Sequence, residues 1–189
     1  MIYPITAYGH PVLRKKSKEI EKDYPELNTI IENMYETMYQ SNGVGLAAPQ
    51  VNLSIRLFIV DIDPYKDEQA QAEGFKKVFI NPDIIDESGE EWEFNESCLS
   101  VPTVAEYVSR KSDLTIKYYD ENFELHEEKY NGMIARVMQH ETDHLNGILF
   151  TDKINNFKKV LIRKKLVEIS EGKINTSYKM IFGKKKKRK

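Results

Sequence analysis

Gln139–Gly147 reads QHETDHLNG, and the rest of the chain is best read outward from this stretch. His140 and His144 are four residues apart, so on an α-helix their side chains lie one above the other on the same face. Two imidazoles at that spacing can share one metal ion. Glu141 stands about 100° around the helix from His140, within reach of a water on that ion without being a ligand itself. This H-E-x-x-H order is the pattern of metal-assisted hydrolases: the histidines hold the ion and the glutamate handles the protons of the water. Two surface histidines on an amphipathic helix would carry the same letters, but the flanking residues argue against that. Met133, Val137, His140 and His144 form one stripe, and Ile134, Met138, Glu141 and Leu145 form a second beside it. A helix apolar over so much of its circumference is buried, and buried imidazoles and carboxylates need partners. Asn146-Gly147 ends the helix, and Ile148, Leu149 and Phe150 are expected to follow as a short strand.

A catalytic metal site takes three protein ligands and keeps one position open. A third histidine six residues after the second would fall on Phe150, which excludes that form. Glu168 and Glu171 lie downstream in a Lys/Arg-rich segment that reads as an exposed helix. Cys98, the only cysteine, lies in FNESCLSVP. A thiolate binds Zn²⁺ or Fe²⁺ strongly, and coordination deprotonates it. By residue type alone, a lone cysteine reads equally as a small buried apolar group, so the third ligand stays open on the residues by themselves.

Three segments considered together narrow the choice. GVGLAAPQ (Gly43 to Gln50), ESCLS (Glu96 to Ser100) and QHETDHLNG resemble the three motifs of the peptide deformylases, in that family's order and at similar separations. The resemblance covers about residues 4 to 170. It implies Cys98, His140 and His144 as ligands of one divalent ion, natively Fe²⁺ with Zn²⁺ or Ni²⁺ as substitutes. It further implies Glu141 as the general acid–base, with the Gln50 amide and the Leu99 backbone N–H as donors to the oxyanion. The implied reaction is removal of the N-formyl group from formylmethionyl peptides emerging from the ribosome. Gly45 would align the peptide as an added strand, and Val44, Met133 and Val137 would wall the methionine side chain. One departure stands out: Ser97 occupies the position between the glutamate and the cysteine where the family has glycine. A positive φ there would strain a serine.

The 189 residues suffice for one domain with a sizeable core. With 40% hydrophobic and 31% charged residues, the composition is that of an ordinary globular protein. A single cysteine precludes an intramolecular disulfide framework and fits a reducing compartment. The beginning, MIYPITAYGHPVLRKKS, lacks an uninterrupted apolar signal segment, and no stretch reaches the length of a membrane span. The expectation is a cytoplasmic monomer. The net charge of −2 conceals a division: residues 1–152 hold 14 Lys/Arg and 28 Asp/Glu (−14), whereas 153–189 hold 14 Lys/Arg and 2 Asp/Glu (+12). A basic end on an acidic body suggests a polyanionic partner. Together with the family's use of a C-terminal extension on the ribosome, this implies contact with ribosomal RNA.

The remaining segments are expected as follows. Asp23 to Gln40 forms a first helix capped by Asp23 in a D-x-x-E box, with Leu27, Ile30, Ile31, Met34 and Met38 buried. Arg56–Asp61 and Lys77–Ile80 are strands, the second broken by Asn81-Pro82. Asp83–Phe94 follows with a turn at Ser88-Gly89. Asp113–Tyr119 and Phe123–Tyr130 make a hairpin. His10 and His126 read as structural. Phe157–Glu171 is a further helix with Phe157, Val160, Leu161, Val167 and Ile169 as its apolar positions. The expected fold is α+β: antiparallel and mixed sheets around the buried helix carrying His140 and His144, with flanking N- and C-terminal helices. Residues 1–172 form one catalytic domain and 173–189 a disordered basic tail. On that division, a chain cut after Gly172 would keep its turnover.

Overall fold

The computed structural model describes residues 1–183. The expectation of disorder for the Lys/Arg run at 184–189 therefore lies outside the described residues. The elements in chain order are β1 (Ile5–Thr6), α1 (Leu27–Gln40), β2 (Gly45–Ala47), β3 (Leu57–Asp61), β4 (Lys76–Cys98) and β5 (Val101–Tyr119). They continue with β6 (Leu125–Asn131), α2 (Gly132–Leu145), α3 (Phe150–Lys153), α4 (Asn156–Ser170) and β7 (Met180–Ile181). Strands β2 to β6 make one antiparallel sheet in sequence order, and β1 pairs with β7 in a separate parallel pair. The architecture is α+β. Among the described residues, parallel pairing occurs in this small pair and in one isolated bridge between Lys18 and Ile55.

The long β4–β5 hairpin dominates the sheet. Asn81-Pro82 and Ser88-Gly89 do not break β4. Each becomes an irregularity inside it, with register shifts between Ile80 and Asp83 and between Ser88 and Glu91. Pro82 has no N–H for the ladder, and Asn81 adopts φ 49°, a left-handed conformation that asparagine tolerates. Gly89 stands at φ 76°, and the extra backbone bulges while pairing resumes beyond it. A partner strand as long as β5 supplies the hydrogen bonds that carry β4 across both interruptions.

Three further expectations need correction. α1 begins at Leu27 rather than Asp23, because Glu26 takes φ 56° at the N-cap and no side chain caps the helix. Phe150–Lys153 is one helical turn rather than a strand: the Asp152 carboxylate accepts the Leu149 N–H at 2.8 Å and closes the turn locally. α4 buries only Ile162 and Ile169, whereas Phe157, Val160, Leu161 and Val167 are 73%, 70%, 62% and 48% exposed. Helix α4 meets the body through one narrow stripe against β5.

Two hydrophobic clusters lie on the sheet, and the second of them holds α2. One joins α1 to β2, β3 and the start of β4 through residues such as Met34, Met38, Leu46 and Ile59. The other packs Met133, Ile134, Val137, Met138 and Leu145 of α2 against Phe58, Phe79, Leu114 and Ile116 of the sheet. Nearly every residue of α2 is buried, as its two apolar stripes require. The C-terminal segment does not trail away from residue 173. Met180 and Ile181 pair with Ile5 and Thr6, so the folded body extends beyond the boundary expected after Gly172.

Candidate metal centre and active site

α2 carries His140 and His144 on the face turned toward the end of β4, where Cys98 lies. The ligand-capable atoms of Cys98, His140 and His144 all lie within 4.8 Å of one another. Cys98 Sγ is 3.2 Å from His144 Nε2. Among the described residues, neither Glu168 nor Glu171 joins this group. The His140 Nδ1 is 3.0 Å from Glu96 Oε2. A carboxylate there takes the Nδ1–H and leaves the Nε2 lone pair free to bind a metal ion.

A thiol and two imidazoles fit a divalent ion of the Zn²⁺ or Fe²⁺ class. One buried atom beside them, Glu141 Oε2, has no protein hydrogen-bond partner, as expected of a site built to receive a further group. Burial disfavours the charged form of both imidazoles. It prevails at His144, whose pKa is lowered, while hydrogen bonds to Cys98 and Glu96 overturn it at His140.

Glu96 anchors a buried ionic network behind Cys98, His140 and His144. Arg110 Nε donates to its Oε1 at 2.7 Å and Arg136 Nη1 to the same oxygen at 2.9 Å. Arg110 also reaches Asp143 at 2.7 Å. Burial alone would raise the Glu96 pKa. Hydrogen bonds from His140 and Arg110, with their charges, hold it below the ordinary carboxylate range. Arg136, only 2% exposed, donates to the Val108 and Trp92 carbonyls and stacks over the Trp92 ring. Neither arginine nor Glu96 had a role in the sequence reading, although Glu96 opens the ESCLS segment.

Glu141 is buried against Gly45. A Cβ on Gly45 would come within 2.5 Å of Glu141 Oε1 and 2.8 Å of Val137 Cγ1, so the glycine that opens β2 leaves the space that the carboxylate fills. Burial, the largest cause, pushes the Glu141 pKa up to about 7. Gln50 lies in a 3-10 turn, Ala48–Val51. Its carbonyl accepts the Ala47 N–H at 2.8 Å, which turns its NH₂ toward Cys98 Sγ at 3.4 Å. Ser97 pairs with Ala105 inside β4 and is not among the residues with positive φ. Serine therefore stands there without the strain considered from the sequence.

These residues open onto a cleft of about 490 Å³ lined by Val44, Gly45, Gln50, Leu99, Met133, Val137, His140 and Glu141. All four residues expected to hold the peptide thus face it. Tyr65, Phe94, Arg136 and the segment Asn175–Tyr178 also line it and were not foreseen. Asn175–Tyr178 comes from a part of the chain with no motif to mark it. His10 accepts the Val12 N–H, and His126 pairs with Asp120 on the β5–β6 turn, away from the cleft.

The polypeptide deformylase family model matches residues 2–160. The chain belongs to this family. A peptide deformylase of Flavobacterium psychrophilum is 58% identical over 99% of this chain and 100% of its own length. One from Christiangramia forsetii is 57% identical over 99% of each chain. Among solved structures, a peptide deformylase from Legionella pneumophila superposes with a TM-score of 0.79 at 37% identity, over 92% of this chain and 98% of its own. The chain is a hydrolase of the family's metalloenzyme type, removing the N-formyl group from the N-terminal formylmethionine of nascent polypeptides and releasing formate.

Proposed function

We propose that Cys98, His140 and His144 hold one divalent ion, natively Fe²⁺ with Zn²⁺ or Ni²⁺ as substitutes, and that Glu141, Gln50 and Leu99 carry out the deformylation beside it. The observation that carries this reading is the approach of the three ligand groups to within 4.8 Å, next to an unpartnered Glu141 oxygen. An ion held by these three residues would supply Lewis acidity and would lower the pKa of a water toward neutrality. Glu141, raised to about 7, takes a proton from the attacking water and returns it to the amine nitrogen as the formyl C–N bond breaks. Gln50 Nε2 and the Leu99 N–H donate to the formyl oxygen as it gains charge. Each such donor contributes about 3–4 kcal/mol in comparable sites.

β2 is an edge strand of the sheet, so an extended peptide can add to it at Gly45 through backbone hydrogen bonds. Val44, Met133 and Val137 then flank the methionine side chain. The product amine and formate leave through the same open cleft.

As the partner of the basic C-terminal portion we infer the ribosome, through its RNA: residues 153–189 carry +12 against −14 for the preceding residues. The same reading makes the protein a cytoplasmic monomer. Among the described residues, no helix is long and apolar enough to cross a membrane.

The test is metal analysis of anaerobically prepared protein together with a formate-release assay on a formylmethionyl peptide. The expected result is about one iron per chain, with activity lost on chelation and regained with Fe²⁺. Full turnover in protein stripped of metal would overturn the proposal.

A further inference from the structure

The turn that follows Cys98 is short. Cys98 pairs with Val101, so Leu99 and Ser100 form a two-residue tip whose carbonyls point out of the hairpin ladder. Buried backbone carbonyls need partners from elsewhere. Both are supplied by the terminal segments of the chain. Ser100 O accepts the Tyr8 N–H at 2.7 Å, and Leu99 O accepts the Tyr178 hydroxyl at 2.9 Å.

Tyr178 is itself fixed on both sides. The Thr176 hydroxyl donates to the Tyr178 carbonyl at 2.7 Å. The Ile5 N–H donates to Lys179 O and the Ala7 N–H to Ile181 O, both at 2.8 Å. The Tyr178 ring packs with Leu99 against the first core cluster. From Asn175 to Tyr178 the segment forms a wall of the cleft.

We propose that Tyr178 is a positioning residue: its hydroxyl fixes the Leu99–Ser100 tip so that the Leu99 N–H faces the developing oxyanion. The C-terminal strand thereby completes the active site. The proposal rests on the reading of Leu99 N–H as an oxyanion donor. If the tethered Leu99–Ser100 peptide unit were free, rotation about the Leu99 torsions would also release the adjoining Cys98–Leu99 unit, whose N–H would sample orientations that miss the oxygen, and a misplacement of about 1 Å is enough to lower a rate by about a hundredfold. A ring held by packing but lacking its hydroxyl would bind substrate normally and react slowly.

The experiment compares Tyr178→Phe with the full-length, metal-loaded parent. It measures kcat and KM for formate release, metal content and thermal midpoint. Amide hydrogen exchange at Leu99–Val101 is measured on the metal-free proteins. Gln50→Ala is assayed in parallel as a probe of the oxyanion pair itself. Tyr178→Phe is expected to lower kcat about tenfold, the equivalent of one hydrogen bond of about 1.4 kcal/mol, with KM within about twofold. Metal content should be unchanged and exchange at the tip faster. A normal kcat, or a rise in KM alone, would reduce Tyr178 to a wall of the cleft and overturn the proposal. Exchange equal to that of the parent would do the same. If Gln50→Ala lowers kcat while Tyr178→Phe does not, the oxyanion reading stands and only the tether fails. If Gln50→Ala alters KM alone, the oxyanion reading is the one at fault, and the exchange comparison still decides whether Tyr178 holds the tip.

Discussion

Replacing Gly45 with alanine adds a single methyl group at the closest approach of β2 to α2. The new Cβ would stand 2.5 Å from Glu141 Oε1, 2.8 Å from Val137 Cγ1 and 3.0 Å from Glu141 Cδ. An ordinary contact begins at about 3.4 Å, so the carboxylate must retreat by about 0.9 Å and the valine by about 0.6 Å. Glu141 lies on a helix packed on its remaining sides, so the movement falls on its own side-chain torsions. Overpacking of this kind costs about 1–3 kcal/mol, and displacing a reacting group by about 1 Å costs about a hundredfold in rate. We expect Gly45→Ala to retain its metal, to lose about 2 kcal/mol of stability and to lower kcat by about a hundredfold. The assays are formate release at saturating peptide, metal analysis and denaturant unfolding. A folded Gly45→Ala protein with parental kcat would refute the argument that the space beside Glu141 is reserved for the carboxylate.

Other perturbations separate the remaining roles. Glu141→Gln should keep its metal and lose nearly all hydrolysis, whereas Cys98→Ser should lose metal far more readily on dialysis against a chelator; equal retention would remove Cys98 from the ligand set. Glu96→Gln leaves Arg110 and Arg136 without their shared carboxylate and should cost about 3–5 kcal/mol, measured by urea unfolding at neutral pH. Because the folded Glu96 pKa lies below its ordinary value of 4.5, its stabilisation is present above that value and is lost as the pH falls toward the folded pKa. The parent should therefore lose stability on acidification below about pH 4.5, and Glu96→Gln should flatten that part of the profile. Truncation after Gly172 removes β7 and Tyr178, so formate release should fall by roughly tenfold or more and the thermal midpoint should drop. Unchanged turnover would return residues 173–183 to the status of an appendage.

What could be read from the sequence was governed by periodicity and by short-range spacing. The stripes of α2 follow from residues three and four apart, so its burial and the shared face of His140 and His144 were legible. The β5–β6 hairpin was legible because Asp120–Asn122 supplies a turn directly after the alternating run Asp113–Tyr119. The course of β4 was not: Asn81-Pro82 and Gly89 are local breaking signals, and the pairing that overrides them comes from β5, well separated in sequence. For α4 the apolar letters were visible, but which of them meet the body depends on where β5 passes. That contact selects Ile162 and Ile169 and leaves Phe157 and Val160 outside. Tyr178 carries no local signal at all, since its role is a hydrogen bond to a carbonyl 79 residues away.

The proposed ligands are oriented by the same charges that hold the interior together. Arg110 and Arg136 are buried cations, and each would be costly without a counter-charge. Glu96 supplies it to both, and its second oxygen, which also accepts from Arg110 Nη2 at 3.0 Å, receives His140 Nδ1–H. The carboxylate cannot turn away from the imidazole without also breaking with the guanidinium groups. Arg110 extends the constraint to Asp143, the residue preceding His144, so both histidines stand next to one ionic network. Cys98 follows Glu96 by two residues in β4, a strand in which alternate residues face the same side. The thiol and the carboxylate therefore approach α2 together, and the carboxylate fixes the imidazole whose neighbour meets the thiol. A preformed ligand set follows from the packing of one strand against one helix, which is why Glu96→Gln should loosen metal binding even though Glu96 is not a ligand.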